Sequence, residues 1–78
     1  MENNSFMIGE VILLEHPIAG VPWSTGCYVL CVQTEATATI ALVCQDNKGL
    51  YAIDNPYQIS VEDLAAFTPT GVMARVRK

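Results

Sequence analysis

The sequence has few charged residues, and its basic residues are almost confined to one end. Charged side chains make up 15% of the 78 residues, against about 25% in a typical soluble domain. Three of the four bases lie in the last four residues, so residues 1–74 hold Lys48 alone against all eight acids, a balance of 1 − 8 = −7. A body of that sign repels phosphate backbones, and there is no stripe of Lys and Arg to release counterions. We therefore expect no nucleic acid among the partners.

Signals for export and for membrane insertion are also lacking. The first ten residues contain two acids and no base, the reverse of a secretory leader. The longest stretch without Asp, Glu, Lys or Arg, residues 16–34, contains two glycines and two prolines and does not read as an apolar spanning helix. An odd number of cysteines (Cys27, Cys31 and Cys44) indicates reduced thiols. We expect a cytoplasmic protein that does not bind membranes.

Motifs for catalysis, metals and cofactors are absent too. The chain has no phosphate-binding loop, dinucleotide fingerprint, zinc knuckle or nucleophile elbow. Cys27 and Cys31 are four apart on one expected strand, about 13 Å, too far to share a zinc ion or a disulfide. With His16 as the only histidine, all three cysteines are expected to be small buried residues. Glu10, among apolar neighbours, is expected to mark a solvent-facing or edge position. We expect no catalytic residue, no metal and no cofactor.

Short β-branched segments separated by turn residues predict an all-β protein. Residues 15–25, with two prolines, a glycine and a tryptophan, predict a long loop. Ser60 and Asp63 fit a capping box that begins one helical turn. We predict a small closed or nearly closed barrel of five or six short strands, with that turn near the C-terminal end. It would form a single domain over residues 1–78, with flexible ends at 1–6 and 77–78. The expected strands are 7–14, 26–34, 38–45, 50–54, a short piece at 57–59, and 71–77.

The order of strand, long loop, two hairpins and helical turn resembles SH3-like β-barrels over roughly residues 7–67. The pattern Tyr57, Ile59 and Leu64 accompanies it before the expected last strand. An OB-fold is the rival barrel, but it usually needs a longer helix between its third and fourth strands. The SH3-like resemblance implies an aromatic groove that binds Pro-rich peptides. The candidates for such a groove, or for an interface, are Trp23, Tyr51, Pro56, Tyr57 and Gln58.

A second, local resemblance concerns the segment before the helical turn. Residues 57–60, Tyr-Gln-Ile-Ser, are similar to the Val-Gln-Ile-Tyr run of plasmid type II dihydrofolate reductases, which are SH3-like chains that form tetramers. Gln58 and Ile59 match, whereas Ser60 stands where that family has tyrosine. This resemblance implies an enzyme whose active pore is built from several copies of the chain.

The expected strands 26–34 and 38–45 are apolar on both faces. A barrel buries one face of each strand and leaves the other in water, so a second apolar face implies a second burial partner, either another copy or a different protein. The alternative is that small residues such as Cys27 and Ala41 tolerate a wet surface. We expect a homo-oligomer or a complex, with these interface candidates: Val29, Cys31, Ala41, Val43, Val72 and Val76.

Residues 72–77 alternate apolar and basic or long side chains. The alternation predicts a strand added to an edge, of the same barrel or of a neighbouring copy, with Val72, Ala74 and Val76 buried. Arg75 and Arg77 would then face the acidic body. The alternative is a frayed basic tail.

Three functions follow from these patterns. The leading one is a non-enzymatic protein-interaction module or small structural or regulatory subunit that docks through an apolar sheet face. The second is a peptide-binding adaptor, and the third is a pore-type enzyme built from several copies.

Overall fold

Six strands and one short helix account for most of the chain in the computed structural model, which describes residues 6–18, 25–54 and 56–76. Every pairing between these strands is antiparallel. The prediction of an all-β fold with a helical turn near the C-terminal end is therefore confirmed. In chain order the elements are β1 (Glu10–Leu14), β2 (Gly26–Gln33), β3 (Thr37–Asp46), β4 (Gly49–Ala52), β5 (Tyr57–Ser60), α1 (Val61–Leu64) and β6 (Phe67–Met73).

Two strands begin three or more residues away from their predicted starts. β1 starts at Glu10 and not at Met7, because Gly9 has a φ of +92° and the N–H of Glu10 donates to the carbonyl of Met7 in a turn. β6 starts at Phe67 and not at Gly71, so it runs through Pro69. A proline fits there because β6 pairs with β1 on one side only, and an edge position does not need the missing N–H.

The strand order is β4-β3-β2-β1-β6, and β5 also pairs with β3, on the same edge as β4. β3 therefore pairs with β4 along its second half and with β5 along its first half. Beyond β6, Tyr51 and Arg75 form a parallel bridge, in which the Arg75 N–H donates to the Leu50 carbonyl at 3.0 Å and the Ala52 N–H donates to the Arg75 carbonyl at 2.8 Å. This bridge joins the two ends of the sheet and closes the barrel.

The first face of the sheet is covered by the later elements of the chain. Tyr28 lies at its centre and meets the Phe67 ring edge-on, with 5.8 Å between ring centroids. Ser60 caps α1 by accepting the Asp63 N–H at 3.2 Å, as the capping box predicts, and α1 adds Leu64 to this core. Phe6, left in a flexible end by the sequence analysis, is buried here as well. The first core consists of Phe6, Ile12, Leu14, Tyr28, Leu30, Ala38, Ile40, Ile59, Leu64 and Phe67.

The second face of the sheet is also buried inside the same chain. Val11, Val29, Ala41 and Ala52 form a second core, against which β4 and the residues after β6 pack. Val29 and Ala41 are completely buried, so they are not available to a partner, contrary to their selection as interface residues. The apolar second face of the central strands is explained by this intramolecular cover, without a second chain. The half-buried residues of the second core are Cys31, Val43, Leu50, Ala74 and Val76.

The C-terminal residues pair with the chain's own barrel as far as Arg75, and Val76 packs on the second core, which contradicts a frayed tail up to that residue. Ala74 and Val76 are half-buried, but Val72 is 45% exposed and not buried as predicted, because both faces of β6 after Phe67 are exposed. Arg75 meets the acidic body as expected, with 2.6 Å between its Nη2 and Oδ1 of Asp46. Arg77, the other predicted acid-facing residue, lies outside the described residues.

Glu10 is buried and does not mark a solvent-facing position. It is 8% exposed, and its two carboxylate oxygens accept the N–H groups of Met7 at 3.1 Å and Gly71 at 3.2 Å. The β1–β6 register shifts between Glu10 and Ile12, and there the Thr70 hydroxyl donates to the Val11 carbonyl at 2.6 Å. The carboxylate thus ties the turn before β1 to the irregular part of β6.

Candidate functional site

A cavity of about 160 Å³ opens at one end of the second core. Three of its lining residues, Cys31, Ala52 and Val76, belong to or pack on that core. Four others are exposed, so the cavity faces solvent. It is therefore the open end of the second core, and mouths of β-barrels are common places for binding sites. The full lining is Cys31, Val32, Thr39, Ala52, Ile53, Asp54, Pro56 and Val76.

Irregular strand pairing creates this opening. Between β4 and β5, four positions separate Ala52 from Tyr57, whereas only two separate their β3 partners, Val43 and Ile40. The chain follows β3 as far as Ile53, whose N–H donates to the Leu42 carbonyl at 2.9 Å, and pairing resumes only at β5. Such bulges turn a strand away from its neighbour. The cover of the second core is interrupted there.

A second irregularity in β2 faces the first. The β2–β3 register shifts between Leu30 and Val32, since Leu30 pairs with Ile40 and Val32 with Thr39. Cys31 is the extra residue, and it points into the cavity lining. The two irregularities lie on opposite sides of β3, the first beside Ala41 and Leu42 and the second between Ile40 and Thr39.

The rim of the cavity is apolar and extends beyond it. Val32 is 52% exposed and Ile53 is 37% exposed. Next to the cavity, the side chains of Met73 and Val76 meet over Gly9. A Cβ atom built on Gly9 would lie 3.4 Å from Cε of Met73 and 3.9 Å from Cγ2 of Val76. Met73 is itself 49% exposed. We call the surface formed by Val32, Ile53, Met73 and Val76 the apolar mouth.

The polar groups of the cavity are a hydroxyl, a thiol and a carboxylate. The Cys31 thiol lies 3.6 Å from the Val29 carbonyl, and burial raises the pKa of Cys31, which keeps it protonated and weakens it as a nucleophile. Asp54 is the one formally charged residue in the lining, and it forms no ion pair with a described residue. The arrangement can bury an apolar group and receive a donor or a cation at its rim. Within the described ranges, no three His, Cys, Asp or Glu side chains gather in a way that holds a metal ion.

The residues predicted to form an aromatic groove are only partly brought together. Pro56 lines the cavity, while Tyr57 beside it packs against the first core. Tyr51 pairs with Cys44 and Tyr57 with Ile40, which places the two tyrosines about 13 Å apart along β3. The Tyr51 ring lies beneath the Arg75 guanidinium, 5.5 Å from its centroid. Gln58 is exposed on β5, and Trp23 lies outside the described residues.

The predicted interface residues divide between the interior and the mouth. Cys31 and Val76 line the cavity, Val43 is half-buried in the second core, and Val72 is exposed on β6. Five lining residues, Val32, Thr39, Ala52, Ile53 and Asp54, and Met73 of the mouth were not predicted from the sequence. The sequence signal for them is Asn-Pro at residues 55–56, which predicts an interruption between β4 and β5. It does not indicate which face of the sheet that interruption opens.

The expectation of three buried cysteines is wrong for two of them. Cys27 and Cys44 are exposed, and only Cys31 is half-buried. Cys27 and Cys44 lie on β2 and β3 where neither core covers the strands, because Cys27 pairs near the start of β2 and Cys44 near the end of β3.

No protein-family model, curated protein or solved structure matches this chain. Any functional assignment therefore depends on the geometry of the chain itself. Among the described residues, no helix has the length and apolar character needed to cross a bilayer.

Proposed function

We propose that this protein is a non-enzymatic interaction module, or a small subunit of a larger assembly, that docks another polypeptide on the apolar mouth. One observation supports this above the others. The sheet faces are already covered within the chain, yet apolar side chains remain exposed around a cavity that continues the second core. The docked polypeptide is either a second copy or a different protein.

The size of the mouth indicates how strongly it can hold a partner. Full burial of a Val, Ile or Met side chain is worth about 1.5–3 kcal/mol, and these residues are already partly buried. Covering them contributes roughly 1 kcal/mol each and about 4 kcal/mol together, the free energy of a millimolar dissociation constant. The mouth then acts as the anchor of a larger contact area.

Two further features are consistent with this role. The order of strands and helix, with α1 immediately before the last strand, supports membership of the SH3-like barrels, a fold that serves many binding functions. The three free cysteines support a reducing compartment, which we take to be the cytoplasm. The acidic surface disfavours acidic partners and leaves the mouth as the apolar contact area.

Site-specific photo-crosslinking tests the proposal. A photoreactive phenylalanine analogue replaces Ile53 at the mouth or, as the matched control, Thr68, which is exposed on β6. In the cells that produce the protein, we expect adducts with another polypeptide from position 53 and not from position 68. Mass spectrometry then identifies a second copy or a different protein. Equal adducts from both positions, or none from position 53, would contradict docking at the mouth.

A further inference from the structure

We infer that the apolar mouth receives one aliphatic or phenyl-sized side chain of a polypeptide segment, with a Lys or Arg beside that anchor facing Asp54. This inference rests on the proposed function and specifies its partner. The cavity volume, the character of its lining and the charge of its rim carry it.

The volume sets the size of the anchor. A buried apolar cavity of about 150 Å³ holds one benzene molecule, and this cavity measures about 160 Å³. A single Leu, Ile, Val or Phe side chain matches that space. Most of the lining is aliphatic, so an apolar anchor gains more from entering than a polar one.

The charge of the rim sets the neighbour of the anchor. Asp54 is exposed at the edge of the cavity and makes no ion pair with a described residue. The chain holds four bases and eight acids, 4 − 8 = −4, and Arg75 is already paired with Asp46. The negative field attracts a cationic segment, and Asp54 fixes where its charge lies.

The same charges disfavour a second copy as the occupant. A copy carries the same acidic surface, and a two-fold contact across the mouth brings both Asp54 carboxylates into one interface.

Three capped peptides test the inference on the full chain by ¹H–¹⁵N NMR titration. The probe GSKLKSG carries a Leu between two lysines, GSKSKSG lacks the anchor, and GSELESG reverses the charge. We expect GSKLKSG to shift the amides of Val32, Thr39 and Ile53, with GSKSKSG at least about ten-fold weaker. GSELESG is expected to produce no saturable shift. Equal binding of GSKLKSG and GSKSKSG, or of GSKLKSG and GSELESG, would overturn the inference.

Two charge-neutralising variants locate the cation. Asp54→Asn is expected to weaken GSKLKSG by about two- to five-fold, whereas Glu62→Gln on α1, with the same change in net charge, leaves its affinity unchanged. Equal weakening by both variants would mean that only the net charge acts, against a cation placed at Asp54.

Different experimental results refute docking at the mouth and the cationic anchor segment. Crosslinking at Ile53 without GSKLKSG binding refutes the anchor-and-cation chemistry while docking at the mouth stands. Shifts of the mouth amides that grow with protein concentration, together with a doubled mass, identify a second copy as the occupant and also refute the cationic segment. Absence of both crosslinking and peptide binding removes both proposals.

Discussion

Replacing Glu10 by alanine is expected to destabilise the protein strongly, because the buried carboxylate satisfies two backbone donors. The N–H groups of Met7 and Gly71 lose their acceptors, at 3.1 and 3.2 Å, and a hydrogen bond to a charged group contributes about 1.5–3 kcal/mol. We expect a loss of roughly 2–5 kcal/mol in the free energy of unfolding. A chain of this length has roughly 4–12 kcal/mol in total, at 0.05–0.15 kcal/mol per residue, so the effect is a large part of it.

Urea unfolding followed by circular dichroism measures this loss. Glu10→Gln keeps one acceptor oxygen and is expected to fall between the wild type and Glu10→Ala. Glu35→Ala, which removes an exposed carboxylate in the turn before β3, is the matched control and is expected to change stability by no more than about 0.5 kcal/mol. If Glu10→Ala and Glu35→Ala unfold at the same urea concentration, the carboxylate does not tie the turn to β6.

Three further perturbations test the fold and its titratable groups. Ending the chain after Met73 removes Ala74 and Val76 and uncovers the second core. Since each kcal/mol of lost stability lowers the melting temperature by about 4–8 °C, we expect a fall of at least about 10 °C. An unchanged melting temperature would mean that these residues do not cover the second core. Cys27 and Cys44 are expected to react with a thiol reagent in the native state faster than Cys31, because Cys31 is half-buried and burial raises its pKa; equally rapid labelling of all three contradicts this. Hydrogen bonding to a guanidinium lowers the pKa of Asp46, so its stabilising contribution is present above its unfolded pKa and is lost below about pH 4 as the carboxyl protonates. The urea midpoint of Asp46→Asn is therefore expected to fall less between pH 6 and pH 3 than that of the wild type, and an equal fall refutes the coupling.

Local signals predicted the elements well where one or two residues determine the backbone. Asp46 accepts the Lys48 N–H at 2.9 Å in the predicted turn, and Gly49 takes a φ of +115°. Ser60 caps α1 as its spacing to Asp63 predicts. These features depend on contacts within three residues, which composition and spacing report directly.

Features that depend on distant parts of the chain could not be predicted in this way. The apolar face that includes Val29 predicts an interface with another chain. In the structure Val29 belongs to the second core, and Val76, far along the same chain, packs on that core. Glu10 was placed in solvent because its partner, the Gly71 N–H, is 61 residues away. The cavity arises from a mismatch of two residues between paired strands, and alternation of side chains does not reveal pairing register.

The most direct test of the central claim, that the second core is open and apolar at its mouth, is xenon binding followed by methyl NMR of the free chain. Xenon binds apolar cavities of this size. We expect saturable shifts in the methyl groups of Val32, Ile53 and Val76, which line the cavity, and none in those of Ile12 and Leu64 in the first core. Shifts confined to the first core, or no saturable shift at the mouth, would contradict the claim.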